Sequence, residues 1–144
     1  AQASHWFDPK GSRSEFLRII KPGGRIVFFD NYRLEEASAA AKAYESILVK
    51  FGHDYAESKH RNRNSLRHEL ILGPFELVSL PNSQNLTLEA LAGRIRSSSY
   101  MPNQDHESYP ALESAIEKMF LDHSKDGEVL IEYETRIYIS HEQK

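Results

Sequence analysis

The sequence contains no cysteine. This absence excludes disulfide bonds, thiolate chemistry and zinc sites built on cysteine, and it fits the reducing cytoplasm that we expect as the compartment. No apolar run approaches the roughly 18 residues of a membrane span. The first residues also lack the basic and apolar segments of a signal peptide. We therefore expect no membrane partner.

Glycine is scarce, and its seven positions (11, 23, 24, 52, 73, 93 and 127) never form a Gly-x-Gly pair. Loops that bring backbone close to a nucleotide-type cofactor depend on such pairs, because a side chain would block the approach. The sequence therefore predicts that these residues contain no glycine-rich cofactor loop.

Excess charge is also missing, since the net charge is −3 and the pI is about 6.2. This composition gives no reason to expect a nucleic acid partner. The basic run Lys59–Arg63, with Arg67 and His68, lacks interleaved aromatics and is interpreted as a solvated helix face. The seven histidines show no i, i+4 pair with a glutamate, so we predict no metal site.

The spacing of apolar residues predicts alternating helices and strands. Helices are expected from Asp8-Pro9 to Ile20, from Leu34 to Phe51, from Thr87 to Ile95 and from about Pro110 to His123. Strands are expected at Arg25–Asp30, Phe75–Leu80 and Glu128–Ser140. The run Ile26–Phe29 suggests a strand buried on both faces, as in a parallel sheet under helices. The predicted class is α/β, with about three strands and four to five helices.

Three segments in a fixed order carry a family resemblance. The first is Ala-Gln-Ala-Ser-His-Trp-Phe-Asp-Pro at 1–9, followed by Glu15–Gly24, which ends in Lys-Pro-Gly-Gly. The second is Gly93–Pro102 with its Ser-Ser-Ser-Tyr loop, and the third is Asp126-Gly127 with Glu132–Tyr138. Together they cover nearly the whole chain. The combination resembles the C-terminal portion of class I S-adenosylmethionine-dependent methyltransferases that act on small molecules.

The resemblance implies a single partial domain, residues 1–144, that runs from the end of strand four to strand seven of a Rossmann-like methyltransferase fold. One strand would be of parallel type and two would form a closing antiparallel pair. The final strand would lie between the other two. S-adenosylmethionine would be the cofactor of a full-length parent. Without strands one to three and the glycine-rich loop, this chain is expected not to bind it.

The same resemblance implies the site residues. It assigns cofactor contacts to Ala3, His5 and Trp6, and acceptor contacts to Gln2, Trp6, Asn31, Arg33, Ser98, Ser99 and Tyr100. Asn31 and Arg33 would lie at the carboxyl edge of the sheet, where open α/β sheets place ligands. Arg33 could bind a carboxylate through two parallel hydrogen bonds. The competing and favoured interpretation is a solvated arginine that begins a helix.

Methyl transfer needs alignment of donor and acceptor, and a base only when the acceptor must lose a proton. His5 is the best candidate base, because its ordinary pKa suits proton exchange at neutral pH. The alternative, which we favour for catalysis proper, is a histidine that only shapes the pocket wall.

Two functions follow as hypotheses. The first is a fragment of a methyltransferase that acts on a small-molecule acceptor and is inactive as it stands. The second is a non-catalytic module, derived from a methyltransferase, that binds another molecule or itself. In either case, a missing neighbour would leave Ile26–Phe29 as an exposed apolar edge. We therefore expect a homo-oligomer, in the simplest form a dimer, that pairs through this edge.

Overall fold

The computed structural model describes residues 7–56, 70 and 73–141. These residues form a mixed α/β structure with four helices and a three-stranded antiparallel sheet. In chain order the elements are α1 (Pro9–Ile19), β1 (Val27–Arg33), α2 (Ala39–Phe51), β2 (Phe75–Leu86), α3 (Leu88–Arg96), α4 (Tyr109–His123) and β3 (Val129–Ser140). None of these helices is both long and apolar enough to span a lipid bilayer.

Side chains of polar residues set the start of three helices. Asp8 caps α1 by accepting a hydrogen bond from the Gly11 amide at 2.6 Å, and Pro9 takes the first helical position. Ser38 caps α2 through the Ala41 amide, and Thr87 caps α3 through the Ala90 amide. Such caps satisfy amides that have no partner inside the helix.

The strand order in the sheet is β1-β3-β2. The register of β1 on β3 is set near both ends: Leu34 N donates to Glu132 O at 3.0 Å, and Ser140 N donates to Ile26 O at 2.9 Å. Both strands flanking β3 are edges of the sheet as far as the described residues extend. Pro81 lies within β2, as an edge strand tolerates.

The chain divides into two compact units, and the first comprises the described residues of Ala1–Tyr32, Lys59–Pro81 and Glu134–Lys144. Among these described residues, Phe28, Leu70 and Tyr138 form a buried cluster against which partly buried side chains pack. The ring of Phe16 from α1 meets Phe28 edge-on at a centroid distance of 6.2 Å. Helix α1 contributes no fully buried residue.

The second unit comprises the described residues of Arg33–Ser58 and Asn82–Tyr133. Its larger core is built from α2, α3, α4 and the first residues of β3. Leu48, Leu91, Ile95, Leu112 and Ile131 have essentially no exposed surface. An ion pair between Arg96 of α3 and Glu113 of α4 adds a polar link between two packed helices.

Several predictions about elements are confirmed and others are wrong. The expected helices at Thr87–Ile95 and Pro110–His123 and the expected strand at Glu128–Ser140 agree with α3, α4 and β3 within about one residue. Helix α2 begins at Ala39 instead of Leu34, because the Leu34 amide bonds to β3 and Ser38 supplies the cap.

The strand expected at Arg25–Asp30 is present as β1, shifted to Val27–Arg33, but the expectation that it is buried on both faces is wrong. Only Phe28 is buried, while Val27 is 50% and Phe29 is 55% exposed. Helix α1 is likewise open to solvent at Leu17 and Ile19, which are both exposed. The sheet is antiparallel in the described part of the chain, so no parallel partner of β1 is seen there. The basic run around Lys59–Arg63, with Arg67 and His68, lies outside the described residues.

Candidate functional site

The N-terminal residues that the sequence assigned to the cofactor and acceptor lie outside the described residues. They are Gln2, Ala3, His5 and Trp6. Their roles, including that of His5 as a base, stay predictions. The remaining predicted residues are Asn31, Arg33, Ser98, Ser99 and Tyr100, and all five are described.

Arg33 is held in a polar cluster with residues of α2 and of the segment that follows it. Its Nη2 lies 2.5 Å from Glu45 Oε2 and 3.1 Å from Tyr55 Oη. The hydroxyl of Tyr55 donates in turn to Glu45 Oε2 at 2.8 Å. The guanidinium carbon lies 4.4 Å from the ring centroid of Tyr44. We refer to Arg33, Tyr44, Glu45 and Tyr55 as the Arg33 cluster.

The interpretation of Arg33 as a solvated arginine is therefore wrong. Its side chain is 16% exposed and that of Glu45 is 15% exposed. A guanidinium withdrawn this far from water requires a carboxylate partner, and Glu45 provides it. Arg33 is the last residue of β1, so the cluster ties the end of that strand to α2.

Burial shapes the protonation of the cluster. Burial raises the pKa of Tyr44 to about 12, with Arg33 opposing and Tyr133 adding to the effect. The pKa of Tyr55 is also raised, first by burial and then by its hydrogen bond to Glu45. Burial by itself lowers the pKa of Arg33, but the nearby tyrosines and Glu45 outweigh it and leave that pKa above its ordinary value. At neutral pH both phenols are protonated and the guanidinium is charged.

The predicted serine loop follows α3 and is fixed by its own backbone. Ser98 N donates to Ile95 O at 3.2 Å, and Ser98 O accepts from the amide of Met101 at 2.9 Å. Ser99 is exposed, whereas Tyr100 is half-buried. The ring of Tyr100 lies 5.0 Å from that of Tyr55, so this loop adjoins the Arg33 cluster. Of the predicted residues, the structure thus brings together Arg33 and Tyr100.

Asn31 belongs to the first unit and is exposed. Its side-chain Oδ1 accepts a hydrogen bond of 2.7 Å from Thr135 Oγ1 on β3. This contact crosses the β1–β3 pair and gives Asn31 a role in strand pairing.

Two histidines that the sequence did not single out lie beside the serine loop. The rings of His53 and His106 are 5.0 Å apart, and His53 N donates to Tyr100 O at 2.8 Å. Nδ1 of His106 accepts from the Ser108 amide at 3.2 Å. When His106 is neutral its proton therefore lies on Nε2.

A surface cavity of about 490 Å³ lies elsewhere in the second unit. It is bounded by the N-terminus of α2, the turn at Lys125–Glu128 and the start of β3, including Glu132. Its volume falls in the range of small-molecule sites. No predicted site residue among those described lines it. Its carboxylates outnumber its one lysine, and no metal-binding group of three or more His, Asp or Glu side chains occurs in the described ranges.

Sequence reasoning missed Glu45, Tyr55 and the two histidines as site residues. Glu45 lies beside Tyr44 on a helix whose apolar spacing marks Tyr44, Ile47 and Leu48 as core. The available signal for a buried ion pair is a carboxylate that flanks such a core face, with an arginine twelve residues upstream at the end of the preceding strand. The arrangement holds its hydrogen-bonding groups in a fixed geometry, and the charges of Arg33 and Glu45 offset each other.

No family model matches the chain, and no curated protein matches it.

Proposed function

We propose that the chain forms the acceptor-binding part of an S-adenosylmethionine-dependent methyltransferase that acts on a small molecule. The observation that carries the proposal is the strand order β1-β3-β2, with an antiparallel β3 in the middle. The resemblance implies this order for strands five, seven and six of a Rossmann-like methyltransferase fold. We propose the same fold here, and the cytoplasm as its compartment.

The position of the Arg33 cluster supports the proposal. Ligands of open α/β sheets bind outside the carboxyl ends of the strands. Arg33 ends β1, and the serine loop reaches the cluster through the contact between Tyr100 and Tyr55. The part of these residues would be to bind and orient the acceptor, which is the main contribution an enzyme makes to an in-line displacement.

The cofactor would supply the electrophilic methyl group. The residues present do not form its site, because the sequence contains no Gly-x-Gly pair. We therefore derive no step through the cofactor.

Titration calorimetry with S-adenosylhomocysteine tests the proposal. We expect no binding to this chain up to millimolar concentration. If the gene encodes residues before Ala1 and these contain a glycine-rich loop, we expect micromolar binding once the chain is extended by them. A gene product that starts near Ala1 and binds nothing would contradict the proposal. Micromolar binding to the chain alone would show that our account of the cofactor site is wrong.

The alternative is a non-catalytic module that associates with itself. The observation that favours it is the exposed apolar surface of β1, an edge strand on which Val27 and Phe29 are each about half exposed. Unpaired edges of this kind promote pairing with another chain. A homo-oligomer through Ile26–Phe29 is compatible with both functions.

A further inference from the structure

Arg33 and Tyr133 are cross-strand neighbours. The Leu34 amide bonds to Glu132 O across the antiparallel β1–β3 pair, so that Arg33 stands opposite Tyr133. Residues that oppose each other in an antiparallel sheet project to the same face, with Cβ atoms roughly 4.5–5.5 Å apart. The two side chains therefore enter the same region of the second unit.

Each of these side chains has a buried polar atom without a hydrogen-bond partner. They are Nε of Arg33 and the hydroxyl of Tyr133. Tyr133 is only 3% exposed, so water does not satisfy its hydroxyl from the surface. A buried polar group without a partner is costly, and native structures nearly always fill such a site. A guanidinium N–H and a phenol hydroxyl are both suited to an oxygen atom of a ligand.

The charge around this pair is positive. The guanidinium of Arg94 lies 5.1 Å from the ring centroid of Tyr133 and forms no ion pair within the described ranges. The guanidinium of Arg94 thus lies over the ring of Tyr133, and that of Arg33 lies over the ring of Tyr44. Among the described residues, Glu45 is the one carboxylate that pairs with either guanidinium. A partly buried excess of positive charge favours an anionic ligand.

We propose that Arg33 Nε, Tyr133 Oη and the Arg94 guanidinium form an anion subsite that binds a carboxylate of a small molecule. The inference rests on the proposed function in one respect, namely that this molecule is the methyl acceptor. The carboxylate accepts hydrogen bonds from Arg33 and Tyr133, and Arg94 stabilises it by charge. Tyr100 and the serine loop lie beside the Arg33 cluster, where the rest of the acceptor would extend.

The first experiment titrates the full chain with benzoate, and with benzamide as a neutral molecule of the same shape. Binding is followed by NMR through the Nε–H signal of Arg33, which a carboxylate shifts downfield. We expect saturable binding of benzoate and none of benzamide. Equal shifts with both molecules would overturn the proposal, because the site would then not distinguish an anion from a neutral molecule. No shift with either molecule would also overturn it and would indicate that buried water satisfies the two atoms.

Two variants localise the site without breaking the ion pair of Arg33. Tyr133→Phe should weaken benzoate binding by about tenfold, as expected for a hydrogen bond to a charged group. Arg94→Gln should weaken it by about fivefold and reduce its dependence on salt. The control is Tyr138→Phe, a buried tyrosine of the first unit, which should leave the affinity unchanged.

The variants are compared only after circular dichroism and thermal unfolding show that each is folded. Unchanged affinity in Tyr133→Phe would overturn the proposal. A titration with inorganic phosphate distinguishes a carboxylate site from a general anion site. Binding of phosphate as tight as that of benzoate would overturn the assignment to a carboxylate.

This test is independent of the proposed function, because benzoate binding requires no cofactor. If benzoate binds as expected and the extended chain binds no S-adenosylhomocysteine, the subsite stands and the methyltransferase proposal fails. If the extended chain binds the cofactor and benzoate does not bind, the methyltransferase proposal stands and the subsite proposal fails.

Discussion

Nη2 of Arg33 lies 2.5 Å from Oε2 of Glu45, and the hydroxyl of Tyr55 bonds to the same oxygen. The three groups come from the end of β1, from α2 and from the segment after α2. Their contact therefore fixes a geometry that local sequence preferences alone would not produce. It is also the feature whose removal should be most costly.

Replacing Arg33 with Met should destabilise the protein by about 3 kcal/mol, because Glu45 would remain buried without a cation. Urea denaturation measures the change in the free energy of unfolding. The control is Lys118→Ala, which removes an exposed i, i+4 pair with Asp122 and should cost no more than about 0.5 kcal/mol. Equal costs in the two variants would contradict a stabilising role for the Arg33 cluster.

The stability of the protein should fall at alkaline pH because of Tyr44. Burial raises its pKa from 10.0 to about 12, so the folded state holds the phenol proton more tightly than the unfolded state. The contribution of this shift to the free energy of unfolding is complete below pH 10 and is lost as the pH rises towards 12. Its size is on the order of 2–3 kcal/mol.

Chemical denaturation at a series of alkaline pH values checks this dependence. In Tyr44→Phe the free energy of unfolding should fall less steeply with pH over that range. Part of the decrease should remain, because the pKa of Tyr55 is shifted in the same direction. An equally steep decrease in the variant would show that Tyr44 ionises alike in the folded and unfolded states.

Two glycines should respond in opposite ways to replacement by alanine. A Cβ on Gly52 would lie 2.6 Å from Leu48 O and 2.9 Å from the Cβ of Tyr55, so the backbone and the Arg33 cluster would have to move. We expect Gly52→Ala to cost about 2 kcal/mol. A Cβ on Gly93, in α3, would meet nothing within 4 Å.

Gly93→Ala should therefore stabilise the protein by about 0.5–1 kcal/mol, because alanine has the better helix propensity. Thermal unfolding of both variants provides the comparison. A loss of stability in Gly93→Ala, or none in Gly52→Ala, would argue against the described packing at that glycine.

The exposed edge of β1 should promote self-association at tens of micromolar protein. Phe29→Lys should shift the protein towards monomer, because an exposed lysine on an edge strand disfavours pairing. Light scattering across a concentration series measures the effect, with the exposed Leu121→Lys of α4 as the control. A wild-type protein that stays monomeric over this range would disprove the expected oligomer.

Elements with regular apolar spacing could be predicted from the sequence. Helix α4 has buried residues at intervals of three to four, and strand β3 has them at intervals of two from Val129 to Tyr133. The bounds of both elements were predicted within about one residue. Strand β2 extends to Leu86, well beyond the expected Leu80. The added residues include Pro81 and Asn82, which lack an apolar pattern and belong to a strand that lies beside β3 in the sheet.

The candidate site could be predicted only in part. Arg33 and Tyr100 were expected near an acceptor, but their environment depends on long-range contacts. The register that sets Arg33 opposite Tyr133 joins residues a hundred positions apart and follows from the pairing of β1 with β3. No local pattern in the sequence encodes that register, so the buried, partnerless hydroxyl of Tyr133 could not be foreseen.

Strand β1 and the helices of the second unit differ in how many of their side chains are buried, and this difference has a consequence for local opening. Strand β1 buries only Phe28, whereas α2 buries five side chains and α4 buries three. Amide protection against hydrogen exchange follows such local stability. The amides of β1 near Phe28 should therefore exchange with solvent long before those of α2 and α4, at a free energy well below that of global unfolding.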